Sequence, residues 1–333
     1  MSANRQEWAV GVDGYPGGWI AAVFAGDALR WERARVGAFD GLVDACTGTP
    51  PRRTVIAVDM PIGLAERGWR ACDLQAKSVL GRAHARVFLT PPREIVRMGP
   101  KAPNADVQHR CRELTGAGIS RQAMALTPRI LDVDRCLPDD RIVEAHPELS
   151  FAAMAGRVLA SKHTPEGLAE RVDVLASAWQ TSTGVGDVAG WLAERPEGVP
   201  LIDATDALAV AWTALRHLRG ASTSMPTEPE MDQRGISMAI ITYRRPTSSD
   251  VQPRAKPSPA AQSKIGSWVR VRLSSKKPGV PATRSTPSQS RPAASPFGAG
   301  VTTGPKKATG EPSGPGTAIT GVPTSSPTRE IPR

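Results

Sequence analysis

Cysteine is scarce in this chain. Cys46, Cys72, Cys111 and Cys136 are the only four in 333 residues, spaced too widely for a zinc knuckle and too few for a disulfide scaffold. Aromatic residues make up 5% of the sequence, which excludes a row of stacking platforms of the single-strand-binding type. No apolar run approaches the roughly 18 residues of a membrane span, and the opening M-S-A-N-R-Q-E-W lacks the apolar core of a secretion signal. These gaps predict a reduced, soluble, cytoplasmic protein without membrane association, and no segment advertises a stable protein partner.

Acidic charge is nearly missing from one stretch. Arg244 to Arg333 holds 15 Lys or Arg against Asp250, Glu311 and Glu330, a net charge of +12, whereas the remainder is close to neutral with 27 basic and 29 acidic residues. The same stretch contains 15 of the 31 prolines, and its one apolar patch, Ile265 to Leu273, is too short to build a core. So little burial does not offset about 1–2 kcal/mol of backbone entropy per ordered residue. The expectation is a folded domain over residues 1–243 and a disordered basic Pro/Ser/Thr-rich tail over 244–333.

Within the predicted domain, Trp8–Val12, Trp19–Phe24 and Leu29–Val36 read as three strands of an antiparallel meander, because the connections between them are short and rich in turn residues. A short helix at Ala38–Cys46 follows. Thr54–Val58 is then a continuous β-branched and apolar run that suits a strand covered on both faces, expected beside the first. Residues 64–138 carry a helical, arginine-rich pattern that reads as an insertion over one edge of the sheet. Arg141–Ala145 is a further strand, and helices are predicted at Pro147–Ala155, Thr164–Trp179, Val188–Glu194 and Asp203–Leu218 before a last strand, Gly235–Tyr243. The fold class is α/β.

Four acids stand where ionised carboxylates are costly: Asp13 in A-V-G-V-D-G, Asp59 in V-I-A-V-D-M-P-I-G-L, Glu144 in I-V-E-A-H-P-E and Asp206 in D-A-T-D-A-L-A-V-A-W. Asp13 also suits a plain turn-capping role, and Glu144 a surface-facing strand position. Asp203, three residues before Asp206, reads equally well as a helix N-cap. His146 and Glu148 lie near enough in sequence to support such a site. Two carboxylates about 4 Å apart repel by roughly 4 kcal/mol at an effective dielectric near 20, so a cluster of them calls for a cation. With no Cys or His set for zinc, an oxygen-loving ion such as Mg²⁺ or Mn²⁺ is expected.

The strings G-V-D-G-Y-P-G-G-W, A-V-D-M-P-I-G-L, S-V-L-G-R-A-H-A-R-V-F-L-T-P-P-R, G-I-S-R-Q-A, V-E-A-H-P-E-L-S-F and D-A-T-D-A-L-A-V-A-W-T-A resemble, in that order, the family catalogued as domain of unknown function 429. The resemblance spans about Trp8 to Ile241. It implies a ribonuclease-H-like mixed sheet flanked by helices and a nuclease site whose catalytic metal ligands are Asp13, Asp59, Glu144 and Asp206. Tyr15 departs from the pattern, where cysteine is frequent, as does Leu89, where proline is expected; neither removes a carboxylate.

The leading expectation is therefore a metal-dependent phosphodiesterase acting on nucleic acid, in which two ions held by the acids activate water and stabilise the leaving oxygen. Arg82, Arg86, Arg93, Arg121 and Arg129 of the arginine-rich stretch could hold the phosphodiester backbone, with Arg93, Arg121 and Arg129 the leading candidates. Two other classes stay open: a non-catalytic nucleic-acid-binding or scaffold protein that works through its basic tail, and a phosphotransferase on the same fold, for which only D-G-Y-P-G-G resembles a phosphate loop.

Overall fold

The computed structural model describes residues 7–47 and 53–243. The stretch Arg244–Arg333, with the expectation that it is disordered, lies outside the described residues. Strands β1 (Trp8–Tyr15), β2 (Gly18–Ala25) and β3 (Ala28–Ala34) form the predicted antiparallel meander, and β4 (Thr54–Val58) pairs in parallel with β1, Val12 opposite Val58. Beyond it, β5 (Ile142–Ala145) is parallel to β4, β7 (Ser237–Tyr243) is parallel to β5, and β6 (Ser222–Met231) closes the edge antiparallel to β7. The result is one seven-stranded mixed sheet in the order β3-β2-β1-β4-β5-β7-β6.

Strand β6 has no counterpart in the sequence reading, and its Pro226 and Pro229 are unusual in a strand. Its place at the sheet edge resolves the conflict, since one side of its backbone needs no partner. Its register against β7 also breaks between Met225 and Glu230, where the prolines lie.

Helices cover both faces of the sheet. On one, α6 (Pro147–Ala155), α7 (Pro165–Thr183), α8 (Val188–Ala193) and α9 (Leu201–Leu218) pack on Ala9, Ile20, Phe24, Val55 and Ala57. On the other, α1 (Phe39–Thr47), α3 (Arg93–Met98) and α5 (Arg121–Asp134) pack on Val12, Trp19, Ile56 and Val58, with α2 (Ala71–Leu80) and α4 (Asn104–Thr115) preceding α3 and α5 in the chain. Residues 64–138 are thus no edge appendage: Ile130 and Val133 of α5 share a core with the central strands. The proline inside that helix, Pro128, has no N–H for the carbonyl of Met124. The hydroxyl of Thr127 donates to that carbonyl instead, at 2.9 Å.

Strand β1 and helix α9 approach each other closely. A Cβ on Gly11 would stand 2.1 Å from the Ala207 carbonyl oxygen and 2.2 Å from the Ala211 nitrogen, so backbone meets backbone there. Ala204, Ala207, Ala211 and Ala214 keep the helix face small enough to permit it. Among the described residues, no helix is long and apolar enough to cross a membrane.

Candidate active site

The carboxyl ends of the parallel strands open onto a cavity of about 420 Å³, the usual place for a ligand in a sheet of this kind. Asp13 lies near the end of β1, and Asp59 directly follows β4. The two are neighbours because the Asp59 N–H donates to the Val12 carbonyl at 2.9 Å, extending the β1–β4 pairing by one residue. Asp13 Oδ1 also accepts from the Gly14 N–H at 2.8 Å, so the turn-capping role is real and uses one of its two oxygens.

Helix α9 supplies the third acid. It begins at Leu201 after Pro200, with no side-chain cap, so Asp203 falls within the first turn rather than at the N-cap. Its side chain lines the cavity, while Asp206, one turn on, is 1% exposed. The pressure of α9 on Gly11 holds Asp206 against the strand ends.

Electrostatically these acids form one group. Burial raises the Asp13 carboxyl well above its ordinary value, with Asp59 and Asp206 adding to the rise. Asp59 is pushed up to about 7 by burial and then by Asp206, and Asp203 to about 6 by the same two causes. Burial likewise raises Asp206, against the pull of Lys162. The Lys162 ammonium donates to Asp206 Oδ2, leaving Oδ1 buried without a hydrogen-bond partner. Burial opposes the charge on Lys162, but Asp206, Asp13 and Asp59 outweigh it and hold the ammonium protonated.

The lining also includes His146, Glu148, Arg86 and His163. His146 caps α6 by accepting the Glu148 N–H at its Nδ1. A neutral ring therefore carries its proton on Nε2, and burial lowers the pKa to favour that neutral form. Glu148 resists the upward push of burial through Arg171, at 2.8 and 2.9 Å, and Arg86, at 2.6 Å, which together lower its pKa. Met60, Phe88 and Leu126 give the cavity an apolar border.

Two expected site residues fall elsewhere. Glu144 leaves the ligand set because Arg70 Nη1 and Nη2 grip its two oxygens at 2.7 and 2.8 Å and the Ile62 N–H adds a third bond at 2.7 Å. Arg70 also donates to the Ile62 carbonyl at 2.9 Å, so the pair pins the loop after Asp59. Gly63, at φ +72° in that loop, makes the turn possible. Arg93 is not available to a substrate either. It is 4% exposed, and its guanidinium is held by Asp134 at 2.9 Å and by Asp232. Arg121 is exposed at the start of α5, beside Gln122 of the cavity lining. Arg129 lies across Gly14 and donates to the Tyr15 carbonyl at 2.6 Å, at the site's edge.

Among the described residues, no three His, Cys, Asp or Glu side chains are gathered closely enough to hold a metal ion as they stand.

A family model described as Protein of unknown function (DUF429) matches residues 11–231, from within β1 to the end of β6. The chain belongs to the DUF429 family. No curated protein and no solved structure matches it. The DUF429 span takes in all four clustered aspartates and also Lys162, Arg86, Arg171 and Arg70. Arg86, one of the arginines expected to hold a phosphodiester backbone, does line the cavity, whereas Lys162, Arg171 and Arg70 escaped the sequence reading as site or site-supporting residues. Lys162 stands in L-A-S-K-H-T between two helices, where hydrophobic periodicity is silent and a lysine looks like solvent-facing loop.

Proposed function

We propose that this chain is a metal-dependent phosphodiesterase that hydrolyses nucleic acid on a ribonuclease-H-like fold. The observation that carries the reading is that Asp13, Asp59 and Asp203, from three separate elements, line one cavity, while the buried Asp206 raises the pKa of all three and is itself paired with Lys162 of the cavity lining. A cluster whose members raise one another's pKa is costly to keep, and the cost is relieved when a divalent cation binds. The mixed sheet with helices on both faces is what the family's motifs imply, and it supports the reading.

The donor chemistry fits a hard ion. All the donors are carboxylate oxygens, as Mg²⁺ and Mn²⁺ prefer, and the orphaned Asp206 Oδ1 is a buried acceptor in need of a partner. Asp13, Asp59 and Asp206 would hold the ion, with small side-chain shifts to close around it. When bound, it supplies Lewis-acid stabilisation and a more acidic water. The protein's own groups do the rest: Arg86, fixed by Glu148, and His146 Nε2–H face the cavity, where they suit the non-bridging oxygens of a phosphate. The +12 charge of the last 90 residues supports a polyanionic partner through counterion release.

The phosphotransferase alternative loses ground on one observation. The glycine-rich turn after Asp13 is filled by its own surroundings, with hypothetical Cβ atoms at Gly14 and Gly17 meeting Arg129 at 3.0 Å and the Tyr15 ring at 2.4 Å. Little space is left there for a nucleotide phosphate.

The test is incubation of the full chain with single-stranded, duplex and branched DNA and RNA in Mg²⁺ or Mn²⁺. Cleavage that chelation and Asp59→Asn both abolish is expected. Binding without cleavage across the panel, by folded protein in either metal, would favour the non-catalytic binder.

A further inference from the structure

Lys162 is the unexpected member of the acidic centre. It reaches in from the connection between α6 and α7, its side chain is 28% exposed at the cavity, and its ammonium pairs with the buried Asp206. It is also close enough to Asp13 and Asp59 to be favoured by their charge, and Asp206, which it touches, is one of the three carboxylates to which the preceding section assigns a divalent ion. Two cations do not share that place, because the repulsion between them would undo the gain of either.

We propose that Lys162 is the resident cation of the carboxylate centre, standing where a divalent ion binds and leaving Asp206 when one arrives. This rests on the metal-dependent reading of the site. Two structural facts support it. Asp206 Oδ1 is orphaned while Oδ2 is engaged, so the lysine satisfies the carboxylate only in part. The partial exposure of Lys162 gives its flexible stem a route into the cavity, whereas the carboxylates sit on a strand, a strand end and a helix.

Once displaced, the ammonium remains tethered in the cavity beside Arg86 and His146, where it adds a charge for a phosphate group. The lysine thus stabilises the empty centre, lowers its affinity for metal, and becomes a substrate-facing cation when metal is bound.

The experiment uses the full-length protein and Mn²⁺ alone. Amine acetylation followed by mass spectrometry reads the reactivity of Lys162 with and without Mn²⁺, and calorimetry reads Mn²⁺ affinity of the wild type and of Lys162→Met. Labelling of Lys162 is expected to rise on adding Mn²⁺, and Lys162→Met to bind the ion at least about tenfold more tightly. Should Lys162→Met fail to fold, the wild-type labelling decides. Mn²⁺ binding with Lys162 labelling unchanged or reduced overturns this proposal and leaves the metal-dependent reading standing. Failure of the folded wild type to bind Mn²⁺, even at millimolar concentration, with tight binding by Lys162→Met, is the extreme form of the expected competition. No binding by either folded protein overturns both the metal reading and the role given to Lys162.

Discussion

Asp206 stands against Asp59 across the junction of sheet and helix, and after burial itself it is the strongest influence holding the Asp59 carboxyl at about 7. An unfolded aspartate titrates near 3.9, so between about pH 4 and pH 7 the unfolded chain has lost this proton while the folded chain retains it. The unfolded state then binds fewer protons, and stability falls as pH rises through that window. The metal-free protein is expected to melt at a higher temperature at pH 5 than at pH 7.5. Asp59→Asn should flatten that dependence, which differential scanning calorimetry at the two pH values checks. Glu148, whose pKa is depressed, acts in the opposite sense only near and below the ordinary glutamate range, while His146, held neutral by burial, opposes the trend up to the ordinary histidine range and is outweighed by the raised aspartates.

Asp13 carries the same cost. Asp13→Asn is expected to keep or raise the melting temperature of the metal-free protein, by removing a like charge from the cluster, and to abolish stabilisation by Mn²⁺. A marked loss of apo stability with the Mn²⁺ response intact would reduce Asp13 to the turn residue that its bond to Gly14 also makes it.

The Arg70–Glu144 pair predicts the opposite pattern. Arg70→Met leaves Glu144 buried without its guanidinium and frees the loop after Asp59. A loss of about 3–5 kcal/mol is expected, read from urea denaturation, with no gain of stability at any pH between 5 and 8. A near-neutral result would show that the loop is pinned by its apolar contacts alone.

Gly11→Ala places a methyl group against the Ala207 carbonyl. The expected cost is about 3 kcal/mol, at the upper end for overpacking, because the obstructing atoms are backbone and do not rotate away. Urea denaturation checks it, and an unchanged midpoint would mean that α9 lifts from the sheet without penalty.

Much of this was legible in the sequence. The alternation and turn residues of 8–36 announce the meander, and the unbroken apolar run 54–58 announces the central strand. Aspartates ending such runs are conspicuous because apolar neighbours make their burial certain and their charge anomalous. What failed was partner assignment. Glu144 looks like Asp59 in sequence, a carboxylate within an apolar strand, and only the fold shows Arg70, 74 residues earlier in the chain, closing on it. Arg93 looks like a solvent-facing arginine after two prolines, and only the fold delivers Asp232 from 139 residues away. Lys162 carries no local signal at all, since its role depends on a helix that starts some forty residues later. The start of that helix was also misplaced, because Asp203 is a good cap by type and Pro200 ended the preceding loop sooner.

The contact between Gly11 and α9 also decides where this protein can change. Because main chain rather than side chain sets the spacing of β1 and α9, the backbone separation of Asp13 from Asp206 is fixed, and only small side-chain shifts bring their carboxylates closer. The Lys162 side chain, 28% exposed, is under no such backbone constraint. A laboratory selection for altered ion preference would accordingly find its variants in Ser161, Lys162 and His163, and leave the faces of α9 and β1 untouched.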